Sequence, residues 1–506
     1  MNHVVIAPLL LPLVAGFVLV LIRASALTAQ RATSMVATLA LAGVAMTLLL
    51  QVADGSILVY RLGNWQAPFG IVLVADRLSA AMVAITALLA LGVLTYAVRG
   101  ADRAGRHFHR FFQFQLFGLT GAFLTGDLFN LFVFFEVLLI ASYALLLHGG
   151  GRARTRAGVH YVVLNLVGSS LFLVAVGTLY GVLGTLNMAD LAVKMRALPA
   201  EDVGVVRAAT LLLFVVFALK AALVPLQLWL PGAYSSASAP VAALFAIMTK
   251  VGAYSILRVH TLFFGSASGS LAGLLEPWLV VLGLVTIVAG TVGALVSQRL
   301  AELTAQLVLI SAGMLLVAFG LNNAPSLAAG IYYLAHSTFA AAALFLLTDV
   351  LRRARGRYGD RLEPGPAIEG AGILGALFLV LAVSIAGMPP LSGFIGKYLV
   401  LGASLETRWM SWVIAVVLVS SLLVIISLAR SGSRLFFHTD PSAEIAVPPR
   451  QAFALAAPVA LVLAGVVLVT HAGPLYEFSL ATAGQLLDPA GYVEAVMANP
   501  GGLAQR

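Results

Sequence analysis

The sequence predicts an all-α integral membrane protein with about 14 transmembrane helices, and three observations support this fold class. Of its 506 residues, 61% are hydrophobic and only 10% are charged, with a mean hydropathy of +1.03, whereas soluble domains carry roughly 25% charged residues. Fourteen stretches are apolar enough to cross a bilayer, which takes about 20 residues each. Basic residues also alternate between many and few in successive loops. Residues 1–506 are therefore expected to form a single membrane domain.

Charge and cysteine content exclude several functions. The net charge of +9 is scattered over short loops and forms no basic face interleaved with aromatic residues, which argues against nucleic-acid binding. The absence of cysteine excludes disulfides, thiolate metal sites and iron–sulfur clusters. A glycine pattern at 370–375 matches the dinucleotide fingerprint by letter, but it enters an apolar span and no strand precedes it. We expect no cofactor and no bound metal.

The first predicted span, 4–22, has no Lys or Arg before it and Arg23 directly after it. A signal peptide has the opposite polarity, so this segment is expected to be retained, with the N-terminus outside the cytoplasm. The other predicted spans are 34–53, 78–98, 111–126, 128–148, 157–183, 206–230, 237–262, 277–297, 303–321, 326–350, 370–404, 410–430 and 452–471.

The positive-inside rule tests this count, because successive loops must lie on alternate sides of the membrane. Loops after odd-numbered spans hold eighteen arginines and the opposite side holds eight basic residues, which favours fourteen spans with both termini outside. The eighteen are Arg23, Arg31, Arg99, Arg103, Arg106, Arg110, Arg152, Arg154, Arg156, Arg299, Arg352, Arg353, Arg355, Arg357, Arg361, Arg430, Arg434 and Arg450; the eight are Arg61, Arg77, Lys194, Arg196, Arg207, Arg258, Arg408 and Arg506.

One loop has its own predicted structure. Residues 56–76 are rich in β-forming residues and have Gly63, Asn64 and Pro68 in the middle, so we predict an external β-hairpin that pairs 57–62 with 69–74. An irregular loop is the alternative. The predicted organisation is then helices 1–3 with this hairpin (4–98), two five-helix units (111–262 and 277–430), helix 14 (452–471) and an external C-terminal tail (472–506).

The two five-helix units are predicted to be a repeat. The sequence from Ala157 to Tyr161 resembles that from Ala329 to Tyr333, and about 60 residues later each copy reaches a proline-interrupted span, at Pro225 and at Pro389–Pro390. The copies lie five spans apart, so they face opposite ways across the membrane. Inverted repeats with broken helices are typical of transport proteins, although a few matching apolar residues also arise by chance.

The ionisable residues within the spans indicate function. They are Glu136, Lys220, Lys250, His336 and Lys397. All twenty-five arginines are expected in loops or at span ends, whereas three of the four lysines are intramembrane. Arginine does not lose its proton in proteins, whereas a buried lysine can. This partition predicts groups that exchange protons inside the membrane, since intramembrane ionisable residues normally mark ion pathways.

Each of these residues also has a purely structural interpretation. A buried charge can lock helices together as an ion pair, or extend to the interface, and His336 can serve as a hydrogen-bond donor between helices. Asp127, Asp349 and His160 lie near span ends, where solvated or capping roles are expected. His107 and His109 belong to a basic cytoplasmic loop.

Several motifs resemble one family. The sequence from Gly126 to Tyr143, which includes Glu136, is similar to the fifth-span signature of the antiporter-like membrane subunits of respiratory complex I, membrane hydrogenases and Mrp-type cation/proton antiporters. The segments Lys220–Pro231, Ala335–Ser337 and Gly387–Lys397, and the region around Lys250, also resemble this family. Gly63–Asp76 and the chain length resemble the D-type subunits of the Mrp antiporters. Relatives often carry a lysine shortly after the histidine of span eleven, where Ala340 to Ala343 stand here.

The resemblance implies a proton path that starts at Glu136 paired with Lys220 and continues through Lys250, then His336 or polar residues and water, to Lys397. It implies a subunit of a hetero-oligomeric antiporter in the bacterial cytoplasmic membrane, which exchanges Na⁺ or another monovalent cation for protons without covalent chemistry.

Two other functions stay open. A redox-linked proton-pumping subunit of complex I or a hydrogenase shares every intramembrane residue, and a stand-alone secondary carrier of an organic solute is the third possibility.

Overall fold

A computed structural model describes residues 3–265, 269–438 and 452–498, which form twenty α-helices and two strands. Arg450, Arg506 and the last eight residues of the predicted tail lie outside the described residues. The elements in chain order are α1 (Ala7–Leu21), α2 (Leu27–Val52), β1 (Leu58–Arg61), β2 (Val72–Ala75), α3 (Arg77–Ala97), α4 (Phe108–Leu124), α5 (Leu128–Leu146), α6 (Arg152–Leu183), α7 (Met188–Arg196), α8 (Val203–Lys220), α9 (Trp229–Ser236), α10 (Ala239–Phe245), α11 (Met248–Phe263), α12 (Glu276–Val296), α13 (Leu300–Gly320), α14 (Ala324–Ala354), α15 (Ala371–Ala386), α16 (Ser392–Ser404), α17 (Met410–Phe436), α18 (Ala456–Thr470), α19 (Ala472–Leu487) and α20 (Ala490–Met497).

The fold is that of a helical membrane protein. Lipid offers no partner to backbone N–H and C=O groups, so apolar segments of this length satisfy them within helices. Within the described residues, ten helical segments are long and apolar enough to cross a membrane, or eleven if the bent pair α18–α19 is one span. The four predicted spans outside these ten correspond to the shorter helices α1 and α4, the α15–α16 pair, and α18.

Most helices extend beyond the predicted spans. The helix α2 begins at Leu27 and not at residue 34, α6 begins at Arg152 and not at residue 157, and α17 continues to Phe436 and not only to residue 430. Hydropathy detects only the apolar part of a helix, whereas backbone hydrogen bonding continues into polar flanking turns. Arg430 and Arg434, predicted in a loop, are therefore helical.

Four helices lie wholly or mostly outside the predicted spans. The short helix α7 lies between α6 and α8, α9 lies mostly between the spans 206–230 and 237–262, and α19 and α20 occupy the segment predicted to be an external tail. The axis of α19 is bent by 80° from that of α18, near Gly473 and Pro474. The segment is packed: Gln485 Nε2 donates to the carbonyl of Gly55 at 3.0 Å, and Arg61 donates to that of Ala498 at 2.8 Å.

The loop between α2 and α3 contains an antiparallel two-stranded ribbon in which Leu58 lies opposite Ala75 and Arg61 opposite Val72. The second strand begins three residues later than expected, because a chain reversal occupies residues 62–70. Asp76 follows β2 directly and caps α3 by accepting from the backbone N–H of Ser79 at 2.9 Å.

The two halves of the chain repeat one order of elements. The helices α4, α5 and α6 are followed by the broken pair α8–α9 and then α10–α11; α12, α13 and α14 are followed by the broken pair α15–α16 and then α17. In each half a main-chain bridge joins the residue before the second helix to a residue beyond the third. These bridges pair Asp127 with Asn187 and Arg299 with Arg361.

The core lies where the halves meet. The helices α10–α11, α13 and α14 are almost wholly buried by protein, whereas α2, α6 and α17 are buried on one side only. Close backbone contact supports this packing: a Cβ atom on Gly313 would lie 2.6 Å from the carbonyl oxygen of Gly283. Small residues that allow helices to approach closely are typical of membrane interiors.

Candidate functional site

Glu136 lies on α5 and is half-buried. Its Oε1 atom accepts a hydrogen bond from the hydroxyl of Ser169 on α6. A hydroxyl that donates to a carboxylate stabilises the ionised form of that group.

Lys220 is the last residue of α8 and is 5% exposed. Its ammonium donates to two oxygens of Asn165 on α6, the side-chain Oδ1 at 3.3 Å and the main-chain carbonyl at 3.5 Å. It also lies 5.8 Å from the ring centroid of Phe135, beside Glu136 on α5. Asn165 is buried, and its own amide donates to the carbonyl of Tyr161 at 2.9 Å.

The pairing of Glu136 with Lys220 that the resemblance implies is not a direct ion pair. Both residues are within the described chain, and no carboxylate oxygen of Glu136 lies within 4.0 Å of the Lys220 ammonium. The two are connected through α6, where Asn165 contacts the lysine and Ser169, one turn later, contacts the glutamate.

The helix carrying Lys220 ends because the chain breaks at residues 221–228. Ala222 has a left-handed backbone with φ of 59°, and the indole N–H of Trp229 donates to the carbonyl of Leu219 at 3.0 Å. Gly252 on α11 packs against this break, since a Cβ atom there would lie 2.4 Å from the backbone nitrogen of Ala221. The break therefore places Lys220 at the contact between α8, α6 and α11.

Lys250 lies in α11 and is fully buried. Its ammonium donates to the hydroxyl of Ser311 on α13 at 2.9 Å, and that hydroxyl donates in turn to the carbonyl of Val308 at 2.7 Å. The predicted span 237–262 is not one straight helix, because α10 ends at Phe245 and α11 starts at Met248. The lysine thus lies in the first turn after an interruption.

His336 lies in α14 and is 3% exposed. Its Nδ1 atom is 2.9 Å from the hydroxyl of Ser392, the first residue of α16. A Cβ atom on Gly393 would lie 2.8 Å from His336 Nε2, so the missing side chain at this position lets α16 approach the imidazole. The histidine therefore contacts the second broken helix directly.

Lys397 lies in α16 and is 7% exposed. Its ammonium donates to the carbonyl of Ala386, the last residue of α15, at 2.7 Å and to the hydroxyl of Ser421 at 2.9 Å. Gly387, whose φ is 80°, makes room, because a Cβ atom there would lie 2.5 Å from Cδ of Lys397. The break between α15 and α16 frees a carbonyl that holds the lysine.

The three buried lysines share one kind of environment. Each donates only to neutral oxygen atoms, and within the described residues none has a carboxylate within 4.0 Å. Buried charges in proteins are normally paired or neutralised, so these ammonium groups are held where either protonation state finds hydrogen-bond partners. Sequence reasoning did not identify the side-chain partners of the five ionisable groups. These partners are single polar residues within apolar spans, namely Asn165, Ser169, Ser311, Ser392 and Ser421.

Sequence reasoning also missed a buried ion pair that involves none of these five ionisable residues. The guanidinium of Arg258 in α11 binds both carboxylate oxygens of Asp76 at 2.5 and 2.8 Å, and the two residues are 4% and 1% exposed. Tyr254 and Tyr492 lie nearby, each ring centroid 5.4 Å from the guanidinium carbon. The pair thus joins α3, α11 and α20. Arg258, which was expected at the end of the span 237–262 and counted with the basic residues of the outer side, is instead a buried residue of α11.

A second cluster surrounds Asp102, in the connection between α3 and α4. Arg31 donates to both of its oxygens at 2.6 and 2.7 Å, and Nε2 of His109 lies at 3.1 Å. Burial alone would raise the pKa of Asp102, but the hydrogen bonds from His109 and Arg31 outweigh it and lower the pKa to about 2. His109 is therefore a buried helix residue of α4 and not part of a solvated loop. Burial lowers the pKa of His148 nearby.

The other candidates near span ends have mixed roles. Asp127 caps α5 by accepting from the backbone N–H of Asn130 at 2.8 Å. Asp349 is half-buried, accepts from the hydroxyl of Tyr96 at 2.8 Å and pairs with Arg353 at 2.7 Å, and His160 is exposed. In the described part of the chain no three His, Asp or Glu side chains are grouped as metal ligands.

The fold and the three buried lysines define a polytopic membrane protein with titratable residues beside its helix breaks. Residues 125–427 match the family described as NADH:quinone oxidoreductase/Mrp antiporter, transmembrane. The D component of a probable K⁺/H⁺ antiporter from Rhizobium meliloti strain 1021 is 42% identical, with 99% of this chain and 98% of that protein aligned. The D component of the Na⁺/H⁺ antiporter of Alkalihalophilus pseudofirmus is 38% identical, with 98% of this chain and 100% of that protein aligned.

A solved structure is also similar. A chain in the structure of the Mrp complex from Dietzia sp. DQ12-45-1b has a TM-score of 0.86 and 28% sequence identity, and the match covers 98% of this chain and 100% of that chain. The protein belongs to the membrane-subunit family shared by NADH:quinone oxidoreductase and the Mrp antiporters.

Proposed function

We propose that this chain is the proton-translocating, D-type subunit of a multisubunit monovalent cation/proton antiporter driven by the proton motive force. The observation that carries the proposal is the set of three buried lysines, each held by neutral oxygens beside a helix interruption. An ammonium held this way can give up its proton without leaving a carboxylate unpaired. The relatives named above are antiporter subunits for K⁺ or Na⁺, which supports the class of activity but leaves either ion as the cargo.

The proposed path runs from Glu136 and Lys220 to Lys250, then past His336 to Lys397. When Glu136 is ionised, its charge favours the ammonium form of Lys220; when that influence weakens, burial favours the neutral amine and the proton moves on. The hydroxyls of Ser311 and Ser392 each act as donor or acceptor. Lys250 and His336 thereby have partners in either protonation state.

The proposed arrangement in the membrane has fourteen crossings, two inverted five-helix repeats, an external hairpin and both termini outside the cytoplasm. The matching main-chain bridges at Asp127–Asn187 and Arg299–Arg361 support the repeats. The arginine distribution of the loops supports the orientation. The bacterial cytoplasmic membrane is the proposed location, and ion translocation without covalent chemistry is the proposed activity.

The proposed partners are the other subunits of an Mrp-type complex. Relatives of nearly equal length are named as subunits, and the similar solved chain comes from a complex. We therefore expect no transport from this chain alone.

The test uses the whole operon in membrane vesicles and measures cation-dependent proton movement with Na⁺ and separately with K⁺. Lys220→Ala is expected to abolish transport in an assembled complex. Lys194→Ala is the control, because Lys194 pairs with Asp190 on α7 and its side chain is 41% exposed. Full transport by the Lys220→Ala complex would contradict the proposal.

A second candidate function is a proton-pumping subunit of complex I or of a membrane hydrogenase, because the family description includes NADH:quinone oxidoreductase. That function predicts proton movement driven by electron transfer with no dependence on a Na⁺ or K⁺ gradient. Transport by the chain expressed alone would instead favour a stand-alone carrier.

A further inference from the structure

The helix α6 contacts both members of the Glu136 and Lys220 pair through one face. Asn165 and Ser169 are four residues apart, so their side chains lie one above the other on the helix. Asn165 offers oxygen to the Lys220 ammonium and Ser169 offers its hydroxyl to the Glu136 carboxylate. Both α6 residues are buried, at 1% and 5% exposure. A single turn of α6 therefore separates the two charges and touches each of them.

The chemistry at the two contacts is complementary. An ammonium group only donates hydrogen bonds and an ionised carboxylate only accepts them, so an amide oxygen stabilises the first and a hydroxyl stabilises the second. The contacts of Lys220, at 3.3 and 3.5 Å, are longer than those of Lys397, at 2.7 and 2.9 Å. Hydrogen bonds weaken at such lengths, so Lys220 is held less tightly than Lys397.

Gly168 lets α8 reach this turn of α6. A Cβ atom there would lie 2.5 Å from Cδ2 of Leu219 and 3.9 Å from Cε of Lys220. The glycine therefore leaves the stem of the lysine next to the α6 backbone, between Asn165 and Ser169.

We propose that Asn165 and Ser169 are positioning residues of the proton relay: they hold Lys220 and Glu136 as a separated charge pair and set the pH range in which the relay works. This inference rests on the proposed function. Asn165 favours the protonated lysine, and Ser169 favours the ionised glutamate. The separation leaves Lys220 free to pass its proton on, which a direct ion pair would oppose.

Few other titratable groups face this pair. On the described helices packed against it they include Tyr143 on α5, Tyr161 on α6, Tyr234 on α9 and Lys250 on α11. The hydroxyl of Tyr161 is 3.0 Å from that of Ser142, and Lys250 is bound to Ser311. A change at Asn165 or Ser169 therefore acts first on Lys220 or Glu136.

The test records the pH profile of cation-dependent proton movement in vesicles with the complete complex. Asn165→Ala is expected to shift the alkaline limb to lower pH by about one unit, because the ammonium loses an acceptor. Ser169→Ala is expected to shift the acid limb to higher pH by a similar amount, because the carboxylate loses a donor. Ser170→Ala is the matched control, since Ser170 is exposed on the same helix and bonds only to the carbonyl of Leu166.

Ser169→Ala keeps the inference testable if the Asn165→Ala complex does not assemble, and a second variant at Asn165 tests the sign of the shift. Asn165→Asp keeps the volume of the side chain and adds a negative charge, so it is expected to shift the alkaline limb to higher pH. Opposite shifts from Ala and Asp at one position are not expected of a residue that only fills space.

The outcomes separate the two proposals. Loss of transport in Lys220→Ala together with wild-type limbs in the Asn165 and Ser169 variants would overturn this inference alone. A lower maximal rate without a shift of either limb would also overturn it, because that result indicates packing only. Full transport in Lys220→Ala would overturn the proposed function itself.

Discussion

The ammonium of Lys397 donates a 2.7 Å hydrogen bond to the main-chain carbonyl of Ala386, eleven residues earlier and on the other side of a helix break. An unbroken helix would commit that carbonyl to its own ladder. The break thus supplies the lysine with an acceptor that carries no charge and cannot be lost by mutation of a side chain. The position of Lys397 therefore also depends on Gly387, the glycine that follows Ala386 in the break.

Gly387→Ala is expected to displace Lys397. The new Cβ atom would lie 2.5 Å from Cδ of the lysine, at a φ of 80°, which L-residues adopt at a cost of roughly 1–2 kcal/mol. Vesicle transport is expected to fall about tenfold or more, that is, by at least about 1.4 kcal/mol in the barrier. Gly402→Ala is the control, because a Cβ atom at that glycine would have no neighbour within 4 Å among the described residues. Equal rates for the two variants would argue against a role for this geometry.

Lys250→Arg distinguishes proton transfer from a structural charge. A guanidinium keeps the positive charge and can donate to Ser311, but it does not release its proton. Transport is expected to be lost in Lys250→Arg and also in Lys250→Met, which removes the charge at similar length. If the charge were only structural, Arg would retain transport and Met would not. Lys194→Arg on the exposed face of α7 controls for the substitution itself.

Asp76→Asn is expected to destabilise the protein by about 3–5 kcal/mol, because it leaves the buried Arg258 guanidinium without its counter-charge. The effect is measured as thermal unfolding of the purified complex. Asp54→Asn is the control, since Asp54 is exposed and bonds only to Ser56 nearby. Similar melting temperatures for the two variants would show that this pair does not hold α3 to α11.

Asp102→Asn is expected to lower the free energy of unfolding by an amount that depends on pH. The pKa of Asp102 is lowered to about 2 from 3.8, so its ion pair stabilises the fold above about pH 4 and is lost as the pH falls towards 2. We expect the variant to be less stable by about 2 kcal/mol at pH 7, below the range for fully buried pairs because Arg31 is 24% exposed. The difference between variant and wild type is expected to narrow below pH 4. Glu406→Gln, a change at an exposed residue, is the control. A stability difference between Asp102→Asn and wild type that does not vary with pH would contradict the role given to the Asp102 ion pair.

Hydropathy and charge position were enough to predict the class of fold and the five ionisable residues. A lysine in an apolar span can be recognised from the sequence, because placing its charge within the bilayer costs free energy in any orientation of the side chain. Its partners are not visible in this way, because Asn165 or Ser311 is one of many small polar residues in apolar helices and only the register of packed helices selects it. The Asp76–Arg258 pair was missed for the same reason, since 182 residues separate its members. The helix α19 was missed because no span was predicted after residue 471, and hydropathy does not reveal that the chain bends there and continues as a helix.

The neutral oxygens around the three lysines also bear on which ion can use this route. Amide, hydroxyl and carbonyl partners leave the charge of a protonated lysine uncompensated. An alkali cation that came close to these lysines would therefore meet like charge in a medium of low dielectric constant. A proton does not meet this barrier in the same way, since it passes as a change of protonation state and no second charge has to fit beside the first. In the proposed path, selectivity for protons over alkali cations would therefore come from the form in which charge travels, and not from the size of an ion.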